Sequence, residues 1–216
     1  MPTTRTLLFG ASIAAALLLL ACGGGGGGDD GGNTTTVRIL ADPDLDGFVS
    51  NAGYVDFNPS SAFPCTGDRD ATMHSGYMSR QLYAFHIGGL EASRIVRATL
   101  RLYQDVVVGN PYGSWGDVVV DHVDYIDDPG LPTYNDQELI RRFGVLSVSP
   151  NLGARTLDVT GLVVRNLGEG SLYSQFRIRF WHDLPGFHDD VNDYAQFAYA
   201  ENPNSDKVPL LIVEYE

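Results

Sequence analysis

Three aspartates at alternate positions, Asp42, Asp44 and Asp46 in DPDLDG, have the spacing by which a turning loop gathers carboxylates onto one Ca²⁺. Gly47 permits the turn, and the Phe48 carbonyl stands where a further oxygen ligand would be needed. An EF-hand would require a bidentate acid where Gly53 stands and helices where strands are read, so the expectation is a non-EF calcium loop, set against a plain solvated acidic turn. A second oxygen-rich stretch, HDLPGFHDDVNDY, offers Asp189, Asp190 and Asp193 for Ca²⁺. Its two histidines, His182 and His188, are too weak a signal for zinc, which wants convergent nitrogen or sulfur donors.

Aromatic side chains suggest a different chemistry. NPYGSWGD sets Tyr112 and Trp115 in a Gly/Pro loop, where rigid ring faces would stack on a sugar. The competing expectation is that Trp115 plugs one end of the core, since large aromatics are mostly buried. Catalytic signatures are missing: the chain has no Gly-x-Ser-x-Gly, no His-Glu-x-x-His and no recognisable Cys–His spacing, so an enzyme is not expected.

The elements that would position these residues read as strands. VRILA, GFVSNAGYVDF, QLYAFHI, VRATLRLYQ, DVVVDHVDYI, VLSVS, RTLDVT, QFRIRFWH, AQFAYAE and PLLIVEY alternate apolar and polar residues or form short apolar runs between turn residues. In ATLRLYQ the period of two puts Leu100, Leu102 and Gln104 on one face and Thr99, Arg101 and Tyr103 on the other. In FRIRFWH it gathers Phe176, Ile178 and Phe180 and leaves Arg177, Arg179 and Trp181 opposite, the arginines either paired with acids or lining a groove. Helix is expected over NDQELIRRFG, ending at Gly144, and over DVTGLVVRNLGEG, with Thr160 as cap. The fold class expected is all-β, an antiparallel β-sandwich of jelly-roll type with one or two short helices.

Three segments resemble, in order and spacing, the DNRLRE domains of bacterial surface proteins, related to carbohydrate-binding module family 96. They are LYAFHIGGLEASRIVRATLRLYQ, TLDVTGLVVRNLGEG and FAYAENPNSDKVPLLIVEYE, and LADPDLDGFV matches that family's opening strand. The resemblance implies a jelly-roll module on secreted or surface proteins, with glycan binding, including alginate, in some members. The chain departs from the pattern at Ala84, where a basic residue is common, and at DDPGLPTYNDQELIRRFGVL, which replaces a tryptophan-bearing segment.

The first residues speak to location. MPTTRTLLFGASIAAALLLLAC carries a positive start, an apolar run too short to span a bilayer, and small residues before a cut. Leu19-Leu20-Ala21-Cys22 resembles the lipobox of bacterial lipoproteins, which implies removal of residues 1–21 and acylation of Cys22. Acyl chains there would anchor the protein to a membrane, the residues 22–36 acting as a flexible tether of roughly 20 Å and residues 37–216 as one domain. Without the leader the chain has 13 basic and 27 acidic residues, a formal charge of −14, which excludes nucleic acid as a natural partner. Cys65 is left without a partner in the chain, as a buried thiol or an intermolecular link.

These readings combine into a lipid-anchored protein of the bacterial cell envelope, at the outer membrane or cell surface, whose non-catalytic sandwich binds a polysaccharide or another surface polymer, with Ca²⁺ assisting. Two alternatives stay open: a structural or assembly protein of the cell surface, and a polysaccharide hydrolase or lyase. The sequence sets no oligomeric state.

Overall fold

A computed structural model of the chain describes residues 34–57, 65–69, 77–126, 134–135, 138–183 and 191–216. The leader, Cys22, Asp189 and Asp190 lie outside these residues. Among the described residues there are twelve strands: β1 (Thr35–Leu40), β2 (Gly47–Ser50), β3 (Val55–Phe57), β4 (Thr66–Arg69), β5 (Tyr77–His86), β6 (Ile95–Val108), β7 (Val118–Val123), β8 (Ile140–Ser147), β9 (Gly153–Asp158), β10 (Tyr173–Phe180), β11 (Asp193–Phe197) and β12 (Leu210–Tyr215). Two short helices, α1 (Pro111–Ser114) and α2 (Thr160–Gly168), and one 3₁₀ turn (Ala92–Arg94) complete the set. Every ladder is antiparallel, so the expected all-β sandwich is the fold found.

The hydrogen-bonded path runs β1-β12-β6-β11-β4-β5-β10-β7-β8, with β9 on the other edge of β6 and β2 pairing β5 and β3. β6 belongs to both layers, since Ile95–Arg101 pairs with β12 while Gln104–Val108 pairs with β11 beyond a bulge. The sheet folds back there, bringing Ala98, Leu100 and Leu102 of β6 and Leu211 and Val213 of β12 into one buried cluster with Tyr83, Phe85, Val118, Val120, Phe176, Ile178 and Phe180. Full burial of each such side chain contributes about 1.5–3 kcal/mol, which is what holds the layers together.

Alternation places Leu82, Ala84 and Val123 on the far side of the second layer. They form a smaller cluster with Val49 and Tyr125, packed by Leu45, Val55, Phe57, Ile126 and Tyr173, so β2 and β3, which extend the sheet from β5, add side chains to that face. The faces read from ATLRLYQ hold: Leu100, Leu102 and Gln104 are fully buried and Thr99, Arg101 and Tyr103 half-buried.

α2 forms where it was expected, burying Leu162 and Val163 against the core, and Asp158 Oδ1 accepts both the amide and the hydroxyl proton of Thr160. The second expected helix is corrected. Ile140–Gly144 belongs to β8, because Ile140 pairs with His122 and Gly144 with Val120; Ile140 and Phe143, which strict alternation would put on opposite faces, both pack onto the main core across the bulge at Arg142. β1 begins at Thr35, so Thr36 is also sheet rather than tether.

Candidate functional site

The face of β10 turned away from the main core carries Arg177 and Arg179, 1% and 0% exposed. Strand pairing sets Arg177 opposite Asp121 on β7 and Leu82 on β5, with Arg80 two residues from Leu82 on the same face. Asp121 takes Arg177 Nη2 at 3.0 Å and Arg179 Nε at 2.7 Å on Oδ2, and Arg179 Nη2 at 3.2 Å on Oδ1. Asp183 joins Arg179 Nη1 at 3.2 Å to Arg80 Nε at 2.6 Å, and Glu138 receives Arg177 Nη2 at 2.6 Å. Arg80 lies over the Tyr134 ring at 3.7 Å, while the Tyr134 hydroxyl donates to Asp183. Burial alone would raise the Asp121 carboxyl's pKa, but the bonds from Arg179 and the Arg142 amide, with the charges of Arg179 and Arg177, hold it below the usual range. Three guanidiniums thus face three carboxylates in a network that is charge-matched and rigid.

At the edge of this floor β8 bulges. Its register with β7 slips between Val120 and His122, and Arg142 takes φ +51°, the one non-glycine residue with positive φ among those described. That conformation costs a side-chain-bearing residue about 1–2 kcal/mol. Asp121 Oδ1 accepts the Arg142 amide at 2.8 Å, which ties the bulge to the ionic network. The Arg142 side chain then lies across Trp181: its guanidinium carbon is 4.0 Å from the ring centroid and Nη2 donates to the Trp181 carbonyl at 2.7 Å. The buried Arg142 Nε finds no acceptor. Trp181 is 37% exposed, and its amide donates to the Asp117 carbonyl at 2.8 Å, so the indole is held from behind and partly open to solvent.

Tyr112 and Trp115 do not present the ring faces expected of them. Trp115 is 4% exposed and belongs to the main core, and its carbonyl accepts the His182 amide at 3.0 Å, bracing the residue next to Trp181. Tyr112 packs edge-on against Phe180 at 5.4 Å, with its hydroxyl donating to Gln104 Oε1 and within hydrogen-bond distance of the Ser147 hydroxyl at 2.9 Å. The cause is α1, a single turn that folds the Gly/Pro loop inward. Asp193, expected as a calcium ligand, fastens that turn instead, accepting the Asn110 amide at 2.6 Å and the Ser114 hydroxyl at 2.5 Å. Gly109, at φ +69°, is required beside it, since a Cβ there would sit 2.1 Å from Asp193 Oδ1 and from the Asn192 carbonyl oxygen.

The acidic turn also departs from expectation. Asp42 Oδ1 accepts the Asp44 amide at 3.1 Å and Oδ2 accepts the Tyr173 hydroxyl at 3.3 Å, while Asp44 stays exposed. Asp46 is 0% exposed and turned inward: Oδ2 accepts the Ala200 amide at 2.6 Å and Oδ1 has no partner. Burial pushes its pKa up to about 8, against the pull of the Ala200 amide and with the charges of Glu201 and Asp42 adding to the rise. Phe48 sits in the strand between β3 and β5, where its main chain is committed to the sheet. Among the described residues no group of three or more His, Cys, Asp and Glu side chains could hold a metal ion.

Cys65 is the buried thiol of the two alternatives, 2% exposed and 3.2 Å from the Ser79 hydroxyl, with burial raising its pKa. No family model matches the chain, and no curated protein matches it. The pairing of Arg142 with Trp181 had no signature in the sequence, because it depends on a bulge that brings residues 39 positions apart together.

Proposed function

We propose that this is a lipid-anchored protein of the bacterial cell envelope, held at the outer membrane or cell surface through acyl chains on Cys22, whose sandwich binds a glycan or surface polymer without catalysing a reaction on it. The observation that carries the binding reading is Trp181: a part-exposed indole held through its own main chain, with the Arg142 guanidinium across its ring and a charge-matched ionic network beside it. Rigid aromatic faces of this kind offer contact area at little entropic cost. The lipobox-like Leu19–Cys22 supports the anchor, and the DNRLRE-like strands support a surface module. The acids best placed for chemistry, Asp121 and Asp183, are saturated by arginine donors, which supports a non-catalytic role. Calcium is not part of this reading: of the carboxylates expected to bind it, Asp42, Asp46 and Asp193 accept hydrogen bonds from the protein itself.

A second reading, assembly with other surface proteins, is favoured by one feature. Val145 and Val148, 42% and 69% exposed, line an open depression of about 350 Å³ with Asn151 and Arg155 beside β8, the last strand of the path. Cys65 cannot be the link in such an assembly, since it is buried.

The test is a glycan array followed by pull-down with the mature, acylated protein and its Trp181→Ala form. Binding should fall about tenfold or more, equivalent to about 1.4 kcal/mol, with an unchanged melting transition. Equal binding by both forms would remove Trp181 from the account, and a wild-type protein that binds no glycan but runs as an oligomer in native mass measurement would favour assembly.

A further inference from the structure

We infer that Arg142 is a built-in cap on Trp181: the chain's own guanidinium occupies a ring face that a ligand needs, and the ligand binds by taking its place. The inference rests on the glycan-binding reading above and adds how access to that site is controlled. Its ground is the cost of the present arrangement. Arg142 holds a left-handed backbone that glycine would adopt without strain, and its Nε is buried with no acceptor. A guanidinium in solvent would have its Nε hydrated, while the backbone cost belongs to the bulge in either position. What the residue obtains in its place is the 4.0 Å contact with the indole and the 2.7 Å bond to the Trp181 carbonyl.

The anchoring of the bulge does not depend on that side chain. Asp121 receives the Arg142 amide, not the guanidinium, so the guanidinium can swing away while the strand and the ionic floor stay in place. Once displaced, it is a planar donor set beside the ring, ready to accept a ligand hydroxyl as hydrogen-bond partner. A sugar ring fits this exchange: its C–H face replaces the guanidinium on the indole, and its oxygens satisfy the donors that are set free.

Arg142→Gly is the informative change, because glycine suits φ +51° and keeps the amide bonded to Asp121; Arg142→Asn, which also tolerates left-handed backbone, is the second variant. Acrylamide quenching of tryptophan fluorescence in the mature protein reads access to the ring, with Trp181→Phe identifying which part of the signal belongs to Trp181 rather than to buried Trp115. Quenching of Trp181 should rise about twofold in both variants, and the melting temperature should stay level or rise. Any glycan bound by the wild type should bind the variants about fivefold tighter, the scale of a lost cation–π competitor. Unchanged quenching would overturn the cap, and so would weaker glycan binding, which would make the guanidinium a ligand contact in its resting position. If quenching rises while neither wild type nor variant binds any glycan, the cap stands and the proposed ligand class falls.

Discussion

Asp121 and Asp46 are both 0% exposed, yet the protein treats them in opposite ways. Asp121 receives Arg177, Arg179 and the Arg142 amide, and its carboxyl is held ionised. Asp46 receives one amide, has an oxygen with no partner and feels Glu201 and Asp42 nearby, so its carboxyl is pushed toward the neutral form. Depth of burial therefore does not set the charge of a carboxylate; the donors that accompany it do. One aspartate locks a network by being charged, while the other clips the turn before β2 to the segment after β11 from a site whose burial outweighs the amide's preference for a charged carboxylate.

The largest expected effect breaks the first half of that contrast. Asp121→Ala strands Arg177 and Arg179 without their shared acceptor and should cost about 3–5 kcal/mol in urea unfolding at neutral pH. A loss below about 1 kcal/mol would mean that water reaches the arginines and that the floor is not rigid.

The next prediction concerns pH and takes the two acids with opposite signs. Asp46, with its folded pKa raised to about 8, stabilises the fold fully below the unfolded value of about 4, and that contribution is lost as pH rises toward 8. Asp121, with its pKa depressed, contributes above the unfolded value and loses its contribution as pH falls below it. Thermal melts from pH 5 to 8 should show falling stability, on the order of a few kcal/mol, and Asp46→Asn should flatten the curve. A variant that melts with the same slope as the parent would show that Asp46 is ionised throughout.

Ile178→Val sharpens the comparison from the other side of β10. It shortens a fully buried side chain in the apolar core and should cost about 0.5–1.5 kcal/mol, less than the single ionic deletion across the same strand. Trp181→Ala should change stability least, within about 0.5 kcal/mol, since the ring is part-exposed and its main-chain bond to Asp117 survives the change. A large loss of stability there would recast Trp181 as structural.

What the sequence made legible follows from period. Leu100, Leu102 and Gln104, or Phe176, Ile178 and Phe180, declare their face because alternation is a local property of strands. Thr160 declares a helix start for the same reason. The site was hidden because it is made by long-range contacts. Trp115 and Tyr112 look exposed beside Gly113 and Pro111, and only Asp193, some 80 positions away in the chain, turns their loop inward. The spacing of Asp42, Asp44 and Asp46 is that of a calcium loop, but Ala200 and Tyr173 claim two of the three carboxylates. The segment containing Ile140 and Phe143 mixes charged and apolar residues in a way that suits either period, and pairing with β7 decides it.

The first strand of the domain pairs along its whole length with the last, Thr35 with Tyr215 through Leu40 with Leu210. β12 lies between β1 and β6, so the layer these strands share closes only when β12, far along the chain from β1, is in place. Non-local closure of this kind makes for slow folding.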